Sequence, residues 1–252
     1  MAENFYCAID TGGTKILVYF IDRLGKVLYK RRLSTPAGKG TKALVDTINR
    51  GVTTGLQETG LKSANLSGLG ICIAGLVDFK DGVIYQAPNL GWTRPVFLKN
   101  IIGQSWCCPI FIENDANAAV QGEVIYGAAR GHRHVIYVTI STGIGGGLFL
   151  DGQIYRGGSG FAGEIGHTKP FGKGRVCGCG GQGCLETWAS GKGIAISAGR
   201  WENGEKDAAW IFARAEQGDP LARQIIERAA EDISTGLANM ITILNPTCLV
   251  IG

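Results

Sequence analysis

Three cysteines, Cys177, Cys179 and Cys184, lie within the stretch VCGCGGQGCLE, interleaved with glycines. So many glycines leave little side chain to bury, and the spacing is too tight for a set of disulfides. Three soft ligands on a glycine stem are one short of a closed tetrahedral metal site, which zinc fills with four Cys or His groups. His167, ten residues before Cys177 in GEIGH, supplies the fourth and makes His-x9-Cys-x-Cys-x4-Cys. The spacing is not that of the common zinc finger, so reduced free thiols or a disulfide stay open on the residues alone. A metal here would steady two carboxylates on a flexible loop. Glu164 stands three residues before the histidine and Glu186 two after the last cysteine, and carboxylates accept hydrogen bonds from hydroxyls.

Two glycine turns could bind phosphate. Asp10-Thr11-Gly12-Gly13-Thr14 offers backbone N–H groups with no Cβ in the way, a hydroxyl on Thr14, and a carboxylate able to hold a magnesium ion through water. Ser141-Thr142-Gly143-Ile144-Gly145-Gly146 offers the same chemistry without the carboxylate. Neither has the Gly-Lys-Ser/Thr of a Walker loop and neither opens a helix, so both differ from the common nucleotide fingerprints. The competing reading of either turn alone is a tight hairpin whose glycines need positive φ.

A third cluster, Glu113-Asn114-Asp115-Ala116-Asn117, sits where a short apolar strand meets a helix. Asp115 could be a helix cap worth about 1 kcal/mol. The crowding of polar groups at one junction points further, to the carboxylate a kinase places near its acceptor hydroxyl.

The elements that hold these residues follow from periodicity. Tyr6 to Ile9, Ile16 to Ile21 and Val27 to Tyr29 read as strands joined by turns, and Val135 to Ile140, Leu148 to Leu150 and Gln153 to Tyr155 repeat the plan. The copies align as YCAID-TGG with YVTIS-TGIGG, too far apart for a solenoid. Leu44, Ile48, Val52 and Leu56 mark a helix, Gly68 to Ile73 a strand, and Asp81-Gly82 a hairpin turn. Ile110 to Ile112 is a strand before a helix from about Ala116 to Tyr126. Asp219 and Pro220 open a long helix with the stripe Leu221, Ile225, Ala229, Ile233, Leu237, Ile241 and Leu244, ended by Asn245-Pro246. Helices between strands make the class α/β: two similar α/β domains flanking a cleft, 1–115 smaller and 116–252 larger with the cysteine loop.

The stretches Asp10 to Lys15, Glu113 to Ala118 and Ser141 to Gly147 together closely resemble the ROK family, from residue 5 to the end. That family comprises bacterial sugar kinases and sugar-responsive repressors on the actin-like (ribonuclease H-like) ATPase fold. The resemblance implies an ATP-dependent hexose kinase, with glucose the leading substrate. N-acetylmannosamine, N-acetylglucosamine and fructose kinases are alternatives, as is a sugar-responsive transcription regulator. It implies Asp115 as catalytic base, with Asn114 and Asp115 gripping the sugar. Gly75, Asn89 in Pro88-Asn89-Leu90, Glu164, His167 and Glu186 are implied as the other sugar contacts. The nucleotide falls to Asp10, Gly12, Gly13, Thr14, Lys15, Thr142, Gly143 and Gly145. A structural zinc ion on His167, Cys177, Cys179 and Cys184 and Mg²⁺ with ATP are the implied cofactors. On this reading a chelator raises KM for the sugar more than for ATP. The first strand begins at about Phe5, which leaves no room for a repressor's DNA-reading domain. Intact Asp10, Gly12, Gly13, Asn114 and Asp115 oppose a dead sugar-binding protein. Relatives run on past LNPTCLVIG with further glycines that bound the adenosine, so more chain is expected after Gly252.

The totals agree. The chain has 252 residues, 45% apolar and 18% charged, with 40 glycines outside any collagen-like period. A net charge of +4 is mild, and Lys30-Arg31-Arg32 reads as a solvated face, so no nucleic-acid partner is expected. No run approaches a membrane span, and Met1-Ala2-Glu3-Asn4 leads into a strand without a signal pattern. A cytoplasmic protein is expected, with sugar and ATP as partners, no membrane, and a second copy of the chain in a homodimer. Cys7, Cys72, Cys107, Cys108 and Cys248 are then reduced, buried thiols, and His132 and His134 are exposed.

Overall fold

The computed structural model describes residues 4–199 and 206–252. Met1 to Glu3, where the missing signal pattern was read, lie outside them. The chain forms two compact units: Met1–Ala118 with Gly157–Phe161, and Ala119–Arg156 with Ala162–Gly252.

The first unit runs β1 (Phe5–Thr11), β2 (Lys15–Asp22), β3 (Val27–Ser34), α1 (Gly40–Thr59), β4 (Leu66–Ile73), β5 (Leu76–Asp78), β6 (Val83–Gln86), α2 (Leu98–Gly103), β7 (Ile110–Asn114) and the first turn of α3 (Asp115–Tyr126). Its main sheet has the order β3-β2-β1-β4-β7, with β1 antiparallel to β2 and β1, β4 and β7 parallel. Strict alternation builds the core. Phe5, Cys7 and Ile9 share a buried face with Ile16, Val18 and Phe20 and with Leu69, Ile71 and Ile73. The helical stripe Leu44, Ile48 and Val52 on α1 closes over it. Lys30 to Arg32 lie on β3, at the edge of the sheet, where charge discourages pairing with another chain. Arg31 also pairs with Glu58.

The second unit contains β8 (Val135–Ile140), β9 (Ile144–Leu150), β10 (Gln153–Ile154), α4 (Glu186–Ala189), α5 (Gly191–Ser197), α6 (Ala208–Glu216), α7 (Pro220–Leu244) and β11 (Cys248–Ile251). Its sheet order β10-β9-β8-β11 repeats β3-β2-β1-β4 in sequence and direction, so the hairpin repeat extends to a repeated topology. Asp219 caps α7 by accepting from the N–H groups of Leu221 and Ala222, with Pro220 in the first turn and Asn245 left-handed at the end.

Four expectations are corrected. The buried face of α7 carries Ala222, Ala229, Asp232, Gly236 and Leu237, while Leu221 and Ile241 are exposed. A strict four-residue spacing drifts around a helix with 3.6 residues per turn, so Leu221 and Ile241 leave the core, while Leu244, only three residues on, packs against it again. Of the five scattered cysteines only Cys7 is fully buried, and Cys107 is exposed. His132 and His134 are half-buried, held by Thr247 and Asp151. Ser141 to Gly146 is not one turn: β9 begins at Ile144, and Gly145 and Gly146 pair with Thr139 and Val138. Glycine in a strand marks a close approach, and here Gly146 packs against the Gly163 carbonyl and Ile165. Among the described residues no helix is long and apolar enough to cross a membrane.

Candidate functional site

In the first unit the sheet brings the polar residues together by register alone. Asp10 on β1, Cys72 on β4 and Glu113 on β7 are paired neighbours, and Thr11, Ile73 and Asn114 form the next rung. All three strands are parallel and end here, the usual place for ligands in such sheets. Asp10, Cys72 and Glu113 share the face opposite the core, because side chains alternate along a strand.

Asn114 acts as the cap of α3. Its Oδ1 accepts from the N–H groups of Ala116 and Asn117 at 2.9 and 3.1 Å, and its Nδ2 donates to the Gly75 carbonyl at 3.1 Å. Glu113 Oε1 accepts from the Asn114 N–H and from Asn117 Nδ2. Asp115 is held more lightly, by one bond from the Ala116 N–H to Oδ1 at 3.0 Å. Burial raises its pKa above the usual carboxylate value, against that N–H, and the nearby Asp10 carboxylate raises it further. Burial also raises Asp10, with Lys15 opposing. Cys72, which the sequence reading counted only as a buried thiol, lies half-buried among these carboxylates. Burial, then Asp10, Asp115 and Glu113, push its thiol up to about 12.

Gly75 is a close approach: a Cβ there would overlap the Gln86 carbonyl. Asn89 is exposed and lies against Gly13, whose added Cβ would meet Asn89 Cβ at 3.1 Å. The first hairpin turn is held within its own sheet. Gly12 N–H donates to the Lys15 carbonyl, and Thr35, just past β3, donates its hydroxyl to the Gly12 carbonyl and its N–H to the Thr14 carbonyl. The N–H groups of Gly13 and Thr14 make no bond within the turn, and Lys15 is exposed beside them.

In the second unit the turn Ser141 to Gly143 is held from far along the chain. The Ser141 and Thr142 carbonyls accept from the Gly191 and Lys192 N–H groups at 2.8 and 3.4 Å, and Ile144 N–H donates to Glu186 Oε2 at 2.9 Å. Thr142 and Gly143 N–H remain unbonded within the turn. Neither Gly12, Gly13 nor Gly143 takes a left-handed conformation, so positive φ is not why these glycines are there. At Gly143 the reason is space, since a Cβ would overlap the Glu186 carboxylate.

The ligand atoms of His167, Cys177, Cys179 and Cys184 all lie within 4.8 Å of one another. Cys177 Sγ is 3.6 Å from His167 Nδ1, and Cys179 Sγ is 3.6 Å from Cys184 Sγ. Tetrahedral zinc with Zn–S about 2.3 Å and Zn–N about 2.0–2.1 Å has edges of roughly 3.5–3.8 Å. The donor set and its spacing therefore fit zinc, and 3.6 Å is too long for a disulfide. The other ring nitrogen, Nε2, faces Glu164 Oε2 at 3.8 Å, and Glu164 is exposed. The cluster closes by main-chain bonds, Cys177 N–H to the Gly181 carbonyl and Gly183 N–H to the Arg175 carbonyl. Arg175 itself escaped the sequence reading, because nothing in its spacing marks it.

A sequence model of the ROK family matches residues 6–252. A glucokinase of Halalkalibacterium halodurans is 33% identical over 267 residues, covering 100% of this chain and 81% of that protein. An N-acetylmannosamine kinase of Escherichia coli is 37% identical, covering 97% of this chain and 81% of its own. Among solved structures, a ROK family glucokinase from Streptomyces griseus in complex with glucose and AMPPNP superposes with a TM-score of 0.83 at 33% identity, covering 99% of this chain and 83% of that one.

Proposed function

The chain belongs to the ROK family, with its actin-like ATPase fold, and from that premise we propose that it transfers the γ-phosphoryl group of ATP to a hexose, glucose first. The observation that carries this reading is Asp115: a desolvated carboxylate at the end of a parallel sheet, lightly bonded and beside Asp10. Phosphoryl transfer has a loose transition state, so the base mainly orients the hydroxyl and takes its proton late. Asp115 serves that role, and Asn114, tied to α3 and Gly75, keeps it in place. Asn89, Glu164, His167 and Glu186 are the further sugar contacts. The unbonded N–H groups of Gly13, Thr14, Thr142 and Gly143 would receive phosphate oxygens, and Asp10 would hold the Mg²⁺ that accompanies ATP.

His167, Cys177, Cys179 and Cys184 would hold a zinc ion, a closed site that orders the loop and leaves no open position for catalysis. Eight free cysteines favour a reducing cytoplasm. A homodimer is carried over from the resemblance, and light scattering checks it. A second reading, an N-acetylmannosamine kinase, is favoured by the 37% identity to the Escherichia coli enzyme. A panel of glucose, N-acetylmannosamine, N-acetylglucosamine and fructose with coupled ADP detection decides. Glucose is expected to give the highest kcat/KM. Preference for an acetamido sugar would replace the leading reading, and no ADP with any hexose would end it.

A further inference from the structure

Arg175 makes the densest set of side-chain contacts in the cysteine loop. Its Nη1 donates to the carbonyls of Thr187 and Gly193 at 2.9 and 3.0 Å, and its Nη2 to Ser197 Oγ at 3.1 Å. Its guanidinium lies 4.3 Å over the Trp188 ring. Burial lowers its pKa, opposed by the buried Asp232 carboxylate nearby.

An account of the backbone groups shows what these bonds do. Helix α4 has only four residues. Were it to continue, Thr187 C=O would accept from Gly191 N–H and Trp188 C=O from Lys192 N–H. Instead those N–H groups donate to the Ser141 and Thr142 carbonyls of the second hairpin turn. The remaining early N–H groups of α5 are taken by Ser190, Gly193 by its hydroxyl and Ile194 by its carbonyl. Sending the two N–H groups outward leaves the Thr187 and Trp188 carbonyls without their helical donors, and a half-buried carbonyl such as that of Thr187 is costly to leave unpaired. Arg175 fills it, and through Gly193 C=O it holds α5 at the same corner.

We infer that Arg175 is a positioning residue for nucleotide binding: it clamps the α4–α5 corner so that Gly191 and Lys192 can hold the Ser141–Gly143 turn in its phosphate-receiving shape. The inference rests on the proposed role of that turn. It also changes the expected consequence of loosening the cysteine loop. The loop's neck, where Gly183 N–H meets Arg175 C=O, leads to the nucleotide side as directly as to the sugar side.

Titration calorimetry of the full chain with a non-hydrolysable ATP analogue and Mg²⁺, and separately with glucose, tests this. Loss of several charge-assisted hydrogen bonds in Arg175→Ala is expected to raise the nucleotide Kd about tenfold. Arg175→Lys, which cannot reach three acceptors at once, is expected to fall between it and wild type. General loss of stability would lower the binding stoichiometry and leave Kd alone. A rise of about threefold or more, some 0.7 kcal/mol, supports the inference, and a smaller one overturns it. If Arg175→Ala yields no folded protein, Arg175→Lys is judged by the same threshold. Thr142→Glu separates the premise, because a carboxylate in a phosphate site must repel the nucleotide. If Thr142→Glu leaves Kd unchanged, the phosphate reading of the turn fails. If it weakens binding and the Arg175 variants do not, the clamp alone fails.

Discussion

The two hairpin turns occupy the same place in two sheets of the same order, yet they are held differently. The first is pinned by Thr35, 23 residues on, within the sheet that forms it. The second is pinned by Glu186, 42 residues on, and by the start of α5. The first turn inherits its shape from strand pairing, which every alternating apolar residue of β1 to β3 reinforces. The second also closes a strand pair, Ile140 against Ile144, and is tied in addition to a corner of short helices whose Leu185, Ala189 and Ile194 join the unit's core. Cross-links add to packing there: the Cys and His cluster, the Arg175 clamp and the Glu186 strap. One repeated strand plan can thus present the same N–H groups from a hairpin held within its own sheet and from one strapped further by loops.

The largest test of that contrast concerns the sheet-borne residues. Asp115→Asn is expected to lower kcat about 10²- to 10⁴-fold while glucose Kd stays within about tenfold, the usual span for a lost general base. If more than about a tenth of turnover survives, Asp115 is not the base. The same substitution should raise the thermal midpoint near neutral pH. A carboxyl whose pKa is raised on folding binds its proton more tightly in the native state, so stability falls as pH rises from the unfolded value through the folded one. At neutral pH the ionised group is therefore a cost that Asn removes. The acid limb of kcat/KM against pH, which reports the free enzyme, should lie above the ordinary carboxylate value for the same reason. A midpoint unchanged or lowered by Asp115→Asn would contradict the burial argument.

The stapled side should fail through the zinc ion proposed for its Cys and His cluster. Removing zinc with a chelator is expected to raise Kd for both glucose and the ATP analogue by about tenfold, the scale of one or two lost polar contacts. Restoration by added zinc, followed by metal analysis, confirms the cause. An effect confined to the sugar would mean the loop does not reach the second turn.

Smaller effects separate the turns themselves. Gly143→Ala must push the Glu186 carboxylate off the Ile144 N–H and is expected to cost about 1–3 kcal/mol by chemical denaturation. Gly12→Ala meets only the Lys15 carbonyl at 3.4 Å, and should change stability by less than about 0.5 kcal/mol. Equal costs would show that the two turns are equally crowded after all. Smallest of all, Cys107→Ser should stay within about 0.5 kcal/mol of wild type, since Cys107 is exposed and far from the cluster in sequence.

Much of this molecule was determined by its sequence alone. Strand alternation in β1, β2 and β4, the helical stripe of α1, the Asp219-Pro220 start of α7 and the repeated hairpin are all local patterns. Periodicity and capping act within a few residues, so they can be read off a string. Residue types and close spacing narrowed the cysteine cluster to a metal site, free thiols or a disulfide, and the family resemblance singled out the metal set. Only the tertiary structure decided the rest. It put Cys72 between Asp10 and Glu113, because register joins residues some 40 to 60 positions apart that no local pattern relates. It returned Gly157–Phe161 to the first unit, where Phe161 meets Tyr85 edge to face. It ended a supposed glycine turn at Gly143, since those glycines serve close packing and not chain reversal. And it made Arg175 a clamp, because the carbonyl it satisfies is orphaned only when a helix ends and sends its N–H groups elsewhere.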